Sequence, residues 1–167
     1  MRSNFIIILL FTVFFAAAAE SRETPFGIYK KAAALASQGE IDQAIEIFKP
    51  LAESNPNYSL AHYGLGKAYL KKTGRLEDAV KHLKISVSLD KRFAKGYFYL
   101  GLAYQLSNKY NQAIKAYKDA YSISTTQIEA LYNIGVVYDI TGRAYHSKIY
   151  FNRYLKLKTK DDAEIIF

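Results

Sequence analysis

The sequence contains no cysteine among its 167 residues. That absence excludes disulfide bonds, thiolate metal sites and thiol nucleophiles. It also excludes the lipid-bearing cysteine of bacterial lipoproteins. The fold must therefore be stabilised by side-chain packing alone, and the roughly 148 residues that follow the apolar N-terminal segment are enough to bury such a core.

Histidine is scarce as well, with three in the chain. His62, His82 and His146 lie in no two-histidine, His-Glu or His-carboxylate motif with the spacing of a metal site or a catalytic triad. Asp78 precedes His82 by one helical turn, a spacing that usually gives a surface hydrogen bond. No glycine-rich phosphate loop is evident. We therefore predict a protein that is not an enzyme and that binds no cofactor or metal.

What the sequence does contain is a motif that recurs about every 34 residues. An apolar residue and a glycine are followed three positions later by tyrosine, at Leu65-Gly66-x-x-Tyr69, Leu100-Gly101-x-x-Tyr104 and Ile134-Gly135-x-x-Tyr138. A small residue and a bulky one four positions later recur in step, at Ala44 and Phe48, Ala79 and Leu83, Ala113 and Tyr117, and Ser147 and Phe151. Because glycine inside a helix costs about 1 kcal/mol relative to alanine, the glycines indicate close contact with a second helix.

Between the two markers lies a residue that tolerates the left-handed conformation just past a helix end, namely Gly39, Gly74, Asn108 or Gly142. These residues and their spacing resemble the tetratricopeptide repeat (TPR), a helix-turn-helix unit of 34 residues. The resemblance implies an all-α fold, a right-handed α-solenoid of four repeats. We place the TPR domain at 25–161, with units at 25–58, 59–93, 94–127 and 128–161 and a C-terminal tail at 162–167.

The first nineteen residues are of a different kind. Arg2 precedes an apolar run from Phe5 to Phe15, and Ala16 to Ala19 supply small residues before polar ones. We predict a signal peptide at 1–19 and a short linker at 20–24, with cleavage after Ala19 or Ala18. The alternative is an uncleaved membrane anchor. Exported repeats resemble envelope proteins of Gram-negative-type bacteria, so we expect a secreted protein of the periplasm or cell envelope.

The resemblance also implies a binding surface, because TPR domains usually bind partners on the concave side formed by the first helices. A non-catalytic scaffold that holds an apolar extended or helical segment of a partner protein is the function that we expect. The residues predicted to contact the partner are Tyr29, Leu60, Tyr63, Lys67, Leu70, Lys95, Phe98, Leu102, Tyr132 and Val136, with Phe26, Leu106 and Ile140 beside them. Their four aromatic rings should form a ladder, through ligand contact or plain packing. Tyr69, Tyr104 and Tyr138 should be buried.

Positive charge is concentrated after the first unit. Residues 59–167 carry 18 basic and 9 acidic side chains, whereas residues 20–58 carry 4 and 6. Lysines recur on the second helices at Lys81, Lys84, Lys115 and Lys118, and should form a stripe on the convex side. The alternative function is therefore a surface-adhering structural protein that binds anionic lipid or wall polymer. No nucleic-acid motif is recognised, so we expect no nucleic-acid partner, and membrane contact only at the surface or through an uncleaved leader.

The chain closes with acidic residues followed by the apolar Ile165-Ile166-Phe167. An apolar end on a solenoid either folds back over the last helix pair or inserts into another subunit. The second arrangement would give a homo-oligomer.

Overall fold

The computed structural model describes residues 23–164, which form eight helices and no strand. The predicted signal peptide, residues 20–22 of the predicted linker and Ile165–Phe167 lie outside the described residues. The helices are α1 (Pro25–Gln38), α2 (Ile41–Ser54), α3 (Ser59–Leu70), α4 (Leu76–Leu89), α5 (Ala94–Leu106), α6 (Tyr110–Ile123), α7 (Glu129–Ile140) and α8 (Ala144–Glu164). The prediction of an all-α solenoid is confirmed. Within residues 23–164, no helix is both long and apolar enough to cross a bilayer.

Consecutive helices pack against one another along the whole solenoid. Each predicted unit contains one pair of packed helices. The first helices of neighbouring pairs also touch, α1 against α3 and α3 against α5. One side of the solenoid is therefore lined by first helices and the other by second helices. The last helix continues to Glu164, so the segment predicted as a tail begins as helix.

The turns between paired helices have the predicted conformation. Backbone φ is +93° at Gly39, +76° at Gly74, +56° at Asn108 and +70° at Gly142. These values lie in the left-handed region, which glycine and asparagine adopt more readily than other residues. Gly39 also ends α1 with a hydrogen bond, because its N–H donates to the Leu35 carbonyl. The predicted turn positions are confirmed.

The glycines of the recurring motif lie where two helices of a pair touch. A Cβ added to Gly101 would be 2.6 Å from Cδ1 of Tyr117, and one added to Gly66 would be 2.7 Å from Cγ of Leu83. Atoms of real side chains do not approach so closely, so these positions accept no side chain unless the partner moves. The predicted close contact of these glycines with the second helix is confirmed, and the side chain that meets each glycine is the bulky one, Leu83 or Tyr117.

The tyrosines of the same motif are not equally buried. Tyr69 and Tyr138 are buried as predicted, but the expectation was wrong for Tyr104, which is half-buried. Arg75 lies over the Tyr69 ring at 4.5 Å and Arg143 over the Tyr138 ring at 5.0 Å. Repeat 3 has Lys109 at the equivalent position. The Tyr104 ring therefore lacks the guanidinium plane that covers the other two.

Candidate functional site

A cavity of about 420 Å³ opens among the first helices α1, α3 and α5. Its walls are mostly apolar, and we call it the inner cavity. The residues that line it are Tyr29, Ala33, Ala36, Ser37, Phe48, Gly64, Lys67, Ala68, Leu70, Lys71, Tyr99, Leu102 and Leu106. Helix α1 contributes Tyr29, Ala33 and Ala36, which share one face at i, i+4 and i+7. Two of these three are alanines, and their small size leaves the space open.

Aromatic rings form one end of the inner cavity. The Tyr29 ring packs against the Phe48 ring with centroids 5.7 Å apart. Phe48 in turn lies against the backbone of Gly64, on the first helix of the following pair, where no Cβ could be accommodated. Gly64 therefore lets α2 approach α3 closely. This contact holds the first two repeats together at the cavity.

A lysine without an acidic partner borders the inner cavity. Nζ of Lys67 lies 5.1 Å from the centroid of the Tyr63 ring and 4.6 Å from that of Tyr99. Burial lowers the pKa of Lys67, and the ammonium groups of Lys71 and Lys95 lower it further. Among the described residues Lys67 makes no ion pair. The two aromatic faces stabilise its charge in part, and an incoming anion would complete the stabilisation.

Four of the predicted contact residues line the inner cavity: Tyr29, Lys67, Leu70 and Leu102. Leu106, predicted beside them, lines it too. The other predicted contact residues do not line it, namely Leu60, Tyr63, Lys95, Phe98, Tyr132 and Val136. Leu60 and Val136 are half-buried, and Lys95 is exposed nearby.

The predicted aromatic ladder is not present as one surface. Tyr63 is only 6% exposed, because Phe93 and Tyr99 pack edge-on against it at 4.7 and 5.7 Å. Phe98 and Tyr132 pack on the second helix of their own pair, against Tyr117 at 5.6 Å and Phe151 at 5.4 Å respectively. For the buried Tyr63 plain packing is the role that the geometry supports. Phe98 is half-buried and Tyr132 is 46% exposed, so part of each ring stays accessible.

Four further residues that line the inner cavity, Ala33, Ala36, Ser37 and Tyr99, were not among the predicted contact residues. The alignment of repeats selected Phe98 as the equivalent of Tyr63, yet α5 turns Tyr99, Leu102 and Leu106 to the cavity, at i, i+3 and i+7. A helical-face count on α1 and α5, rather than an alignment of repeats, would have found these residues.

The four lysines of the predicted convex stripe are all exposed. Lys81 and Lys84 lie on α4, and Lys115 and Lys118 lie on α6. Lys115 donates to Asp119 at 2.8 Å, an exposed pair that contributes little to stability. Positive charge therefore does reach the solvent along the second helices.

The structure also brings together two histidines that the sequence did not connect. Nδ1 of His62 on α3 lies 3.0 Å from Nδ1 of His82 on α4, and Nε2 of His62 lies 3.1 Å from the Pro56 carbonyl oxygen. The predicted bond between Asp78 and His82 was wrong, because Asp78 instead accepts from Arg75 at 2.5 Å. Within residues 23–164 no set of three or more metal-ligating side chains occurs.

Three models of the tetratricopeptide repeat match the chain, over residues 29–91, 94–126 and 128–161. A curated relative, Protein bimA of Emericella nidulans, is 28% identical over 81 residues. Those residues are 48% of this chain and 10% of that protein. The chain thus spans about a tenth of the curated relative that it matches.

Solved structures of similar architecture include a crystal structure of MamA, with a TM-score of 0.79 and 24% identity over 90% of this chain and 87% of that one. MamA from Desulfovibrio magneticus has a TM-score of 0.76 and 24% identity, over 83% of this chain and 78% of that one. A thermophilic TPR protein of Thermus thermophilus has a TM-score of 0.69 and 22% identity, over 93% and 89%. At these identities the likeness shows the fold.

Proposed function

Because the chain belongs to the tetratricopeptide repeat family, we propose that it is a non-catalytic scaffold that holds a partner protein in the inner cavity. The observation that carries this proposal is the apolar opening of about 420 Å³ among three successive first helices. Its volume is within the range of ligand pockets. An apolar side chain of an extended or helical partner segment fits such a site.

The lysines at the cavity favour a particular kind of segment. Lys67 has an ammonium group that is half-buried and without an acidic partner, and Lys71 donates to the Ala36 carbonyl at 3.3 Å on the same side. A carboxylate next to the inserted apolar side chain would be stabilised there. Such charges contribute more to selectivity and orientation than to affinity.

The proposal predicts that Leu106→Asp weakens partner binding. Leu106 lines the inner cavity and is 48% exposed, so an aspartate there should leave the fold intact while replacing an apolar wall by a carboxylate that disfavours an inserted apolar side chain and repels a partner carboxylate. Peptides selected by the wild-type protein from a random dodecapeptide phage library should bind this variant at least about tenfold more weakly, a cost of roughly 1.4 kcal/mol. Fluorescence anisotropy with the synthetic peptides gives the Kd.

Leu89→Asp is the matched control, because Leu89 is 39% exposed on α4 and does not line the inner cavity. It should leave the Kd unchanged. Equal losses in both variants would show a general effect of added negative charge. A library that yields no binding peptide would remove the basis of the proposal.

We also propose that the protein works in the cell envelope. The support is compositional, a basic residue and an apolar run followed by small residues at 1–19. N-terminal sequencing of the protein from fractionated native cells should find Glu20, or Ala19, as its first residue in the exported fraction. A chain that starts at Met1 in the membrane fraction would instead indicate a retained anchor.

A further inference from the structure

Helix α8 presents a strongly basic exposed surface. From Ala144 to Thr159 the helix has no acidic residue, and its four lysines and arginines are all exposed. They are Lys148, Arg153, Lys156 and Lys158. A run of this kind attracts anionic surfaces within a Debye length, about 10 Å at 0.1 M salt.

Large apolar side chains share this surface. Tyr145 is 75% exposed and Ile149 is 43% exposed. With Lys156 they occupy positions i, i+4 and i+11, which lie on one face of a helix. That face is opposite the buried Ser147. Neither side chain is needed for the core, so each is free to contact another surface.

Helix α6 extends the same surface. Lys115 and Lys118 occupy, one repeat earlier, the places of Ile149 and Asn152. Nζ of Lys118 lies 6.0 Å from the centroid of the Tyr150 ring, so Lys118 adjoins α8. The one acidic residue of α6 is Asp119, and Lys115 pairs with it. We call Lys115, Lys118, Tyr145, Ile149 and Lys156 the outer patch.

The outer patch is a feature of the C-terminal repeats and not of the fold. The α2 residues equivalent to Tyr145 and Ile149 are Asp42 and Glu46, and the α4 equivalents are Glu77 and Lys81. The Ile149 position therefore changes from acidic to basic and then to apolar along the solenoid, and the Tyr145 position is acidic in both earlier helices. Packing requires none of these side chains, because they point away from the helix contacts.

We infer that the outer patch binds the surface of an anionic phospholipid bilayer. Lysines next to a membrane are attracted to anionic headgroups. Tyrosine and isoleucine can insert into the interfacial layer, where a ring with an apolar body and a polar hydroxyl is favoured. A soluble polyanion would satisfy the lysines but would give the two apolar side chains no partner. The lipid headgroup and acyl boundary satisfy both.

Vesicle sedimentation of the full chain tests this inference. The probes are large unilamellar vesicles of phosphatidylcholine and phosphatidylglycerol at 3:1, and vesicles of phosphatidylcholine alone as the baseline, which also measures any binding by residues 1–19. Each lysine near an anionic membrane contributes roughly fivefold in partitioning. The double variant Lys115→Gln/Lys118→Gln should therefore partition about 25-fold less onto anionic vesicles. The double variant Tyr145→Ser/Ile149→Ser should partition about tenfold less onto anionic vesicles, although its charge is unchanged.

Two control variants match these changes. Lys49→Gln removes an exposed lysine at the equivalent position of α2, and Phe26→Ser removes a side chain that is 55% exposed on α1. Both should bind anionic vesicles as the wild type does. The inference is overturned if Tyr145→Ser/Ile149→Ser binds normally and soluble polyglutamate binds the wild type as tightly as the vesicles do. Equal binding of the wild type to neutral and anionic vesicles would overturn it too.

Discussion

Tyr117→Ala should lower the free energy of unfolding by about 3 to 5 kcal/mol, the usual cost of truncating a buried aromatic side chain. Tyr117 is fully buried, and its hydroxyl donates to Oε1 of Gln105 at 2.8 Å. Burial also raises the pKa of its hydroxyl above the ordinary value. The truncation leaves a cavity between α5 and α6 and leaves Gln105 without this partner. Urea unfolding followed by circular dichroism at 222 nm measures the loss.

A second substitution, Gly101→Ala, tests the contact that the Tyr117 ring makes with α5. Gly101→Ala alone should destabilise by up to about 2 kcal/mol, because the new methyl group meets the Tyr117 ring 2.6 Å away at an overpacking cost of about 1 to 3 kcal/mol. The gain in helix propensity, about 1 kcal/mol, is smaller than this overpacking cost. The double variant Gly101→Ala/Tyr117→Ala should be more stable than the sum of the single losses predicts, by about 1 kcal/mol or more. Its methyl group then occupies space that the ring has left.

The matched control for this cycle is Tyr145→Ala, which removes a tyrosine that is 75% exposed. It should change the free energy of unfolding by no more than about 0.5 kcal/mol. Strict additivity of Gly101→Ala and Tyr117→Ala would contradict direct contact between the two positions. Destabilisation by Tyr145→Ala as large as that of Tyr117→Ala would contradict the assigned burial.

The close contact of Gly101 with a second helix could be predicted because glycine recurs at the equivalent position in three of the four repeats. Glycine, a bulky partner and the left-handed turn recur with the same spacing, so each copy supports the reading of the others. Burial of Tyr104 could not be judged in that way. Two other repeats have arginine at the position of Lys109, and those arginines lie over the equivalent tyrosine rings. A pattern taken from all repeats does not show a difference at one position of one repeat.

The inner cavity was foreseeable in place but not in detail. Its position follows from the packing of α1 against α3 and of α3 against α5. Its volume depends on Ala33 and Ala36, whose lack of bulk is significant only once the neighbouring helices are in position. Bulky residues that fill a core are easy to recognise in a sequence pattern. Small residues that leave a cavity open are not.

The histidine pair could not be found from spacing at all. His62 and His82 are 20 positions apart, and they meet because α3 and α4 pack side by side as a pair. The pair occurs in one repeat, so no recurrence signals it. For two neutral rings, its hydrogen bonds define which nitrogen of each ring carries the proton. The Pro56 carbonyl can only accept, so Nε2 of His62 carries the proton, and its Nδ1 accepts from Nδ1–H of His82.

This arrangement favours two neutral imidazoles. Burial lowers the pKa of His62. The hydrogen bond to the Pro56 carbonyl raises this pKa, but by less than burial lowers it. Burial, with contributions from His62 and Lys81, lowers the pKa of His82 to about 4, while Asp78 acts in the opposite direction. The remaining neighbour is the Tyr69 ring, which packs at 5.8 Å from that of His82. A proton on either histidine would place a charge between the buried His62 and the half-buried His82.

The protein should therefore lose stability as the pH falls below about 6.5, the ordinary pKa of histidine in the unfolded chain. A depressed pKa in the folded state means that the unfolded state binds more protons between pH 6.5 and pH 4. The folded state is then favoured above that window and penalised within it. Discounted for solvent screening, the loss between pH 7 and pH 5 should be about 1 kcal/mol.

His82→Gln isolates the effect, because glutamine offers an N–H donor to Nδ1 of His62 but does not titrate. Urea midpoints measured at pH 7, 6 and 5 should fall less steeply for this variant than for the wild type. His146→Gln, which removes an exposed imidazole on α8, is the control and should keep the wild-type slope. If His82→Gln and the wild type lose stability equally over this range, protonation of the pair is not the cause, and the neutral hydrogen-bonded arrangement of His62 and His82 would be contradicted.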